Sequence, residues 1–159
     1  MSNLPKIGAT APDFAAKDHK GDLISLSHFA AHWLVLYFYP KDNTPGCTTE
    51  AIDFTHFSPE FAALNAKVVG VSPDTEKSHG KFIEKHNLSL QLLSDPEHTV
   101  TSAYGVWGLK KFMGKEYMGV IRSTFLIDAD GKVAYVWPNV RVKGHAEAVL
   151  KKLRELGQS

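Results

Sequence analysis

The single cysteine of the chain, Cys47, stands at the junction between a strand pattern and a helix pattern. The apolar run from Trp33 to Tyr39 stops at Pro40, and a helical pattern begins close to Cys47. A thiol at a helix N-terminus faces unpaired backbone N–H groups and the positive end of the helix dipole, and both favour the thiolate. A lone cysteine can also be a buried and inert residue. The strand-to-helix position favours a nucleophilic cysteine.

The residues just before Cys47 could serve such a nucleophile. Thr44 lies three positions upstream, where its hydroxyl can point at the thiolate and hydrogen-bond a small oxygen electrophile such as a peroxide. Pro40 closes the strand and would place an apolar wall beside the sulfur, while Gly46 would let the backbone approach closely. Taken alone, Pro40 and Thr44 are equally typical of an ordinary turn. Their joint pattern favours a reactive site.

A guanidinium group would complete this site, because a permanent positive charge favours the thiolate and binds a departing oxyanion. Arg122 is the first candidate, since it precedes the strand pattern Ser123 to Asp128 at a point where the chain returns to the sheet. Arg141 is the second candidate on the same terms. The residue pattern alone favours a surface arginine at either position.

Short apolar runs alternate with helical patterns along the chain, which predicts an α/β protein with a central sheet. The turn at residues 18–22 predicts an N-terminal β-hairpin, and the apolar run from Trp33 to Tyr39 predicts a strand buried on both faces. Residues Gly105 to Gly119 are glycine-rich and mixed in sign, and we expect an irregular surface excursion there. We expect residues 1–159 to form a single domain, because no repeat or linker interrupts the pattern.

Composition excludes several classes of protein. Apolar residues make up 43% of the chain and charged residues 22%, and the formal net charge is +1, which gives no support for nucleic-acid or acidic-membrane binding. No apolar run reaches membrane-spanning length, and the start from Met1 to Lys6 lacks the pattern of a secretory signal. One cysteine forbids an intramolecular disulfide, so we expect a cytoplasmic location.

Several stretches of the chain together resemble a peroxiredoxin, most closely the PrxQ group, also called bacterioferritin comigratory proteins. The order Pro, Thr, Cys at this spacing is highly specific, and the likeness covers nearly the whole chain. The stretches that carry it are residues 8–14, 37–50, 104–108 and 119–128. The resemblance implies a thioredoxin-like fold with a central mixed sheet flanked by helices. It also implies a thiol-dependent peroxidase that reduces hydrogen peroxide and organic hydroperoxides without metal, haem or flavin.

The resemblance also implies roles for individual residues. Cys47 would be the peroxidatic cysteine, Thr44 and Arg122 would hold the peroxide, and Pro40 would shield the thiolate. Glu50 matches an acidic position of the group and would support the arginine, and Gly46 would have a supporting role in the tight entry to the helix.

One position departs from the family pattern. Most members of the group carry a resolving cysteine five positions after the peroxidatic one, where this chain has Ile52. An oxidised Cys47 therefore cannot close an internal disulfide. We expect an external thiol to reduce it, with thioredoxin or glutathione and glutaredoxin as candidates, or else a bridge to a second copy's Cys47. The sequence leaves a monomer and a weak homodimer equally open.

Two other functions use the same residues. A redox sensor, or a protein that forms mixed disulfides, would oxidise at Cys47 but turn over slowly. A structural thioredoxin-like module would keep Cys47 inert.

The eight histidines of the chain invite a metal-binding hypothesis. They are scattered, with no His-Glu-x-x-His or Cys/His cluster, so we expect no metal site and mostly solvated or partly packed side chains. The glycines between residues 105 and 119 match no nucleotide-binding motif.

Overall fold

A computed structural model describes residues 4–157 of the chain. Nine strands and five α-helices alternate along this part, with a short 3-10 helix at Leu26–Phe29. The strands are β1 (Ala15–Asp18), β2 (Leu23–Ser25), β3 (Trp33–Phe38), β4 (Ala66–Ser72), β5 (Gln91–Ser94), β6 (Trp107–Phe112), β7 (Lys115–Val120), β8 (Ser123–Ile127) and β9 (Val133–Trp137). The helices are α1 (Pro45–His56), α2 (Ser58–Ala63), α3 (Glu76–His86), α4 (Thr99–Ala103) and α5 (His145–Gly157).

Seven strands form one mixed sheet in the order β2-β1-β5-β4-β3-β8-β9. The three adjacent strands β3, β4 and β5 are parallel to one another, and the remaining pairings are antiparallel. The expected α/β architecture and the N-terminal hairpin are confirmed. Residues 1–3, which belong to the stretch compared with a secretory signal, lie outside the described part of the chain. Residues 158 and 159 of the expected domain lie outside it as well.

Strand β3 is the centre of the core. Leu34, Leu36 and Phe38 point into one apolar cluster, and the alternate residues Val35 and Tyr37 point into a second cluster on the other face. The predicted burial of both faces of this strand is thus observed, because helices cover one side and the N-terminal segment and α4 cover the other. Cys47 belongs to the second cluster, together with residues of α1, α3 and α5.

The expectation of an irregular excursion at residues 105–119 is wrong. Strands β6 and β7 form a two-stranded hairpin outside the main sheet, with Trp107 opposite Val120 and Phe112 opposite Lys115. The turn uses Met113 at φ 52° and Gly114 at φ 79°, a left-handed pair that suits a two-residue hairpin turn. Most side chains of the hairpin are exposed, so the sequence lacks the apolar alternation that marks a half-buried strand.

Candidate active site

Cys47 lies in the first turn of α1, at the end of a loop that follows β3. Thr44 is the residue before the helix, and its carbonyl accepts the backbone N–H of Thr48 at 2.8 Å. Pro45 occupies the first helical position, where its missing N–H costs nothing. The helix therefore begins two residues before the thiol, and only 1% of Cys47 is exposed.

The sheet brings Arg122 to this helix terminus. Strand β8 is antiparallel to β3, and Ser123 at its start lies opposite Phe38 at the end of β3. Arg122 directly precedes Ser123, so it reaches the loop that carries Cys47. Its Nη2 atom donates to Cys47 Sγ at 3.1 Å, and its Nη1 atom donates to Glu50 Oε1 at 2.6 Å. One guanidinium thus joins the thiol and the carboxylate.

Glu50 lies three residues after Cys47, on the same face of α1, and is buried. Burial raises the pKa of Glu50 from 4.5 to about 7, although the Arg122 charge and hydrogen bond act in the opposite direction. Burial alone would lower the pKa of Arg122, but the charges of Glu50 and Cys47 raise it above its ordinary value. Arg122 therefore remains a cation, whereas Glu50 exchanges a proton near neutral pH.

Gly46 makes room for this guanidinium. A Cβ atom at position 46 would lie 3.3 Å from Arg122 Nη2 and 3.9 Å from Val142 Cγ2. Any larger side chain would push against the guanidinium that contacts the sulfur. The close approach expected at Gly46 is made by this arginine side chain.

Thr44 and Pro40 lie on the same loop. The Thr44 hydroxyl donates to the Lys41 carbonyl at 2.9 Å, so its hydrogen bond lies within the loop and its lone pairs remain available to an incoming donor. The Thr44 hydroxyl hydrogen is therefore directed at the Lys41 carbonyl and not at the Cys47 sulfur. Pro40 is half-buried and directly follows the buried Tyr39.

Two further sequence candidates lie apart from this cluster. Arg141, the second candidate for the guanidinium, is exposed, while Arg122 contacts the sulfur. Ile52, at the position of the missing resolving cysteine, is 44% exposed on α1. Because a helix turns by 100° per residue, positions 47 and 52 point in different directions.

Lys110 is a second cation near the site that the sequence analysis missed. It extends from the β6–β7 hairpin, and its Nζ atom donates to the Val120 carbonyl at 3.1 Å. Burial lowers the pKa of Lys110, as does the Arg122 charge, while the Cys47 charge raises it. Its position depends on the hairpin, which the sequence did not predict.

The sequence analysis also missed a buried cluster that anchors the loop. Asp42 accepts the Tyr39 hydroxyl at 2.6 Å and the Ser78 hydroxyl at 2.8 Å, and its Oδ2 atom lies 2.7 Å from His79 Nδ1. Its backbone N–H donates to Asp74 Oδ2 at 2.8 Å. Apart from Tyr39, these partners lie 32 to 37 residues away in the sequence, so no local motif reveals them.

Histidine burial is also more varied than the scattered pattern suggests. Six histidines are exposed or half-buried, as expected of most of them, but His79 and His145 are buried. Among the described residues, Asp42, Asp74 and His79 present potential metal-ligand atoms within 4.8 Å of one another. Those atoms already take part in hydrogen bonds with neighbouring protein groups. None of the helices within residues 4–157 has the length and apolarity needed to cross a bilayer.

Comparison with known proteins adds an independent result. Residues 7–136 match the model of the AhpC/TSA family. Peroxiredoxin Bcp of Bacillus subtilis is 50% identical over 153 residues, which cover 96% of this chain and 98% of the relative. Peroxiredoxin Bcp of Escherichia coli K12 is 41% identical over the same length and with the same coverage.

Solved structures show the same similarity. The bacterioferritin comigratory protein of Xanthomonas campestris, studied for its alkyl peroxide reduction activity, superposes with a TM-score of 0.88 at 41% identity and covers 99% of each chain. A PrxQ mutant from Xylella fastidiosa superposes with a TM-score of 0.91 at 38% identity, over 96% of this chain and 98% of that one. The similarity extends over the whole sheet and its helices.

Proposed function

Since the chain belongs to the AhpC/TSA family, within its Bcp/PrxQ group of peroxiredoxins, we propose that it is a thiol-dependent peroxidase whose reacting atom is Cys47 Sγ. Its substrates are hydrogen peroxide and organic hydroperoxides. The observation that carries this assignment is the 3.1 Å contact between Arg122 Nη2 and Cys47 Sγ at a helix N-terminus. A buried thiol beside a fixed cation is the arrangement that favours a thiolate nucleophile.

The first half of the reaction is a displacement at oxygen. The Cys47 thiolate attacks one peroxide oxygen, an S–O bond forms and the O–O bond breaks. The sulfur loses two electrons, and the leaving hydroxide or alkoxide takes a proton to become water or alcohol. Arg122 stabilises the thiolate before the attack and the negative charge on the departing oxygen during it.

The other site residues position these reactants. Thr44, with its hydrogen bond to Lys41, presents free lone pairs that can accept the peroxide hydrogen. Pro40 limits water at the loop, and Gly46 gives Arg122 its close approach. Glu50 holds the guanidinium in its orientation through the 2.6 Å hydrogen bond.

The second half of the reaction requires an external thiol, because the chain contains one cysteine. A first thiol displaces water from the Cys47 sulfenic acid and forms a mixed disulfide. A second thiol then releases the Cys47 thiol and leaves with the first thiol as a disulfide. We propose thioredoxin, or glutathione with glutaredoxin, as the reductant, in a reducing compartment such as the cytoplasm. All proposed site residues come from one chain, so a monomer or a weak homodimer suffices.

The test is turnover with each reductant system supplied separately. Peroxide consumption should continue for many cycles with at least one system, and Cys47→Ser should abolish it while the protein stays folded. Oxidation of Cys47 followed by arrest with every reductant would instead favour the sensor hypothesis. Activity that survives in Cys47→Ser would move the chemistry to another residue.

A further inference from the structure

A buried polar cluster links the loop before Cys47 to helix α3. Asp42 is 5% exposed and His79 is fully buried, and their side chains meet at 2.7 Å between Oδ2 and Nδ1. The same loop is held a second time through its backbone, because the Asp42 N–H donates to Asp74 Oδ2 at 2.8 Å. Asp42 stands two residues before Thr44 and five before Cys47. Whatever holds Asp42 therefore sets the path of the chain into the catalytic helix turn.

The hydrogen bonds of His79 define its protonation state. His79 Nε2 lies 2.9 Å from the Leu93 carbonyl, which can only accept, so Nε2 carries a hydrogen. His79 Nδ1 faces Asp42 Oδ2, an oxygen that already accepts the Ser78 hydroxyl at 2.8 Å. The other Asp42 oxygen accepts the Tyr39 hydroxyl at 2.6 Å. A carboxyl group that receives two hydroxyl donors is best matched as a carboxylate, which leaves Nδ1 as a donor too.

The other charged and titratable groups near His79 are consistent with a cation there. Burial raises the pKa of Tyr39 well above its usual 10, so this hydroxyl stays a neutral donor. Asp74, two residues before α3, contributes a second acidic side chain. His19, from the turn between β1 and β2, also interacts with His79: burial first, and then the charges of Lys20 and His79, lower the pKa of His19. The groups around His79 are therefore the carboxylates of Asp42 and Asp74 and the imidazole of His19, which is less basic than usual.

We propose that His79 is a positioning residue of the peroxidase, which rests on the function proposed above. Its imidazolium donates to Asp42 and to the Leu93 carbonyl, and so fixes the loop from Pro40 to Gly46 against α3 and β5. Loss of the imidazole ring releases Asp42 and shifts Thr44 and Cys47 relative to Arg122. Because displacement of reacting groups by about 1 Å can cost about 100-fold in rate, a distant imidazole can control the reaction at the sulfur.

The protonation state of His79 has a direct test that is independent of any activity. Nitrogen-15 NMR of the reduced wild-type protein near neutral pH should show hydrogens on both ring nitrogens of His79. His145 is an internal comparison, because its Nε2 atom lies 2.7 Å from a Thr124 hydroxyl that can either donate or accept, and burial lowers its pKa to about 4. A His79 ring that carries only one hydrogen would overturn the proposal.

The positioning role is tested by His79→Asn, whose amide keeps a donor toward Asp42 without the charge, and by His79→Ala, which keeps neither. Sulfenic acid formation at neutral pH should slow by between about 10- and 100-fold in His79→Ala and less in His79→Asn.

Two comparisons separate positioning from a general loss of stability. Asp42→Asn should slow the reaction about as much as His79→Asn, and the double variant should be no slower than either. Asp95→Asn is the matched control, because Asp95 is also buried but accepts the backbone N–H groups of Val100 and Thr101 in α4. Additive effects, or equal slowing in Asp95→Asn, would overturn the positioning role. A slow wild-type reaction would instead contradict the proposed function, whatever the NMR result.

Discussion

Arg122 donates to the Cys47 sulfur and to a Glu50 oxygen at the same time, and this double contact is specific to a planar guanidinium. A lysine at this position would keep the charge but could not hold both acceptors in the same geometry. Only 17% of the arginine side chain is exposed, so its charge is weakly screened. The identity of the cation therefore matters as well as its charge.

We predict that Arg122→Met slows sulfenic acid formation by about 100-fold, and Arg122→Lys by about 10-fold, because charge-assisted hydrogen bonds contribute roughly 1.5–3 kcal/mol. Iodoacetamide alkylation of Cys47 at neutral pH should also slow in both variants. Stopped-flow kinetics and alkylation rates at this one pH provide the two readouts.

The exposed Arg141→Met is the matched control, and it should leave both quantities unchanged. Equal rates for wild type and Arg122→Met would remove the guanidinium from the reaction.

At this scale the sequence indicated some of the proposed site residues and missed others. Cys47, Thr44 and Gly46 stand in one local run, so their proximity is a consequence of chain connectivity. Arg122 could be chosen over Arg141 only through the family resemblance, because no local pattern reports a contact 75 residues away. Asp42 and His79 carry no such signal, since a buried ion pair and a solvated pair look the same in a sequence.

Strand β4 shows how tightly the elements around the site are packed. Gly70 lies at the centre of the sheet, opposite Tyr37 on β3 and Leu92 on β5. A Cβ atom at Gly70 would lie 2.8 Å from both Leu92 Cδ2 and Tyr37 Cζ. Real Cβ contacts are essentially never this short, so the strand accepts no larger residue unless the Leu92 or Tyr37 side chain is displaced.

We predict that Gly70→Ala lowers the free energy of unfolding by about 1–3 kcal/mol, the usual cost of overpacking a core. Gly80→Ala is the matched control, because it lies within α3 and its Cβ would have no neighbour within 4 Å. This control should stabilise the protein by up to about 1 kcal/mol through helix propensity. Denaturant unfolding of both variants measures the two effects, and an unchanged Gly70→Ala would contradict the described packing.

The success of the sequence analysis differed between elements. Strand β3 was recognised because a strand buried on both faces is continuously apolar, and the hairpin of β1 and β2 because the turn at residues 18–22 separates its strands. The β6–β7 hairpin was missed because Met113, which has no preference for positive φ, occupies its turn. The exposed strands of this hairpin also bury little surface, so their sequence shows no regular apolar alternation.

Two buried titratable groups make the stability of the whole molecule depend on pH in opposite directions. Burial raises the pKa of Glu50 to about 7, so its protonated form stabilises the fold and this contribution is lost as pH rises from 4.5 to 7. Burial, and then the Arg122 charge, lower the pKa of His145 from 6.5 to about 4, so its contribution is lost as pH falls from 6.5 to 4. Between pH 4.5 and 6.5 the two contributions oppose each other.

We predict that single substitutions expose each contribution. The free energy of unfolding of Glu50→Gln, relative to wild type, should increase as pH rises from 4.5 to 7, by at most about 1.4 kcal/mol per pH unit. That of His145→Asn, relative to wild type, should decrease as pH rises from 4 to 6.5. Urea unfolding at half-unit pH steps measures both differences. Parallel stability curves for wild type and Glu50→Gln would show that Glu50 titrates normally.

The central claim concerns Cys47 as a peroxide-reactive thiolate, and one single-turnover experiment tests it most directly. Fully reduced protein is mixed with one equivalent of hydrogen peroxide in a stopped-flow instrument, and the products are identified by intact mass. The account predicts gain of one oxygen atom at Cys47 at a rate at least about 1000-fold above that of free cysteine, with no reaction in Cys47→Ser. A rate equal to that of free cysteine would contradict the account.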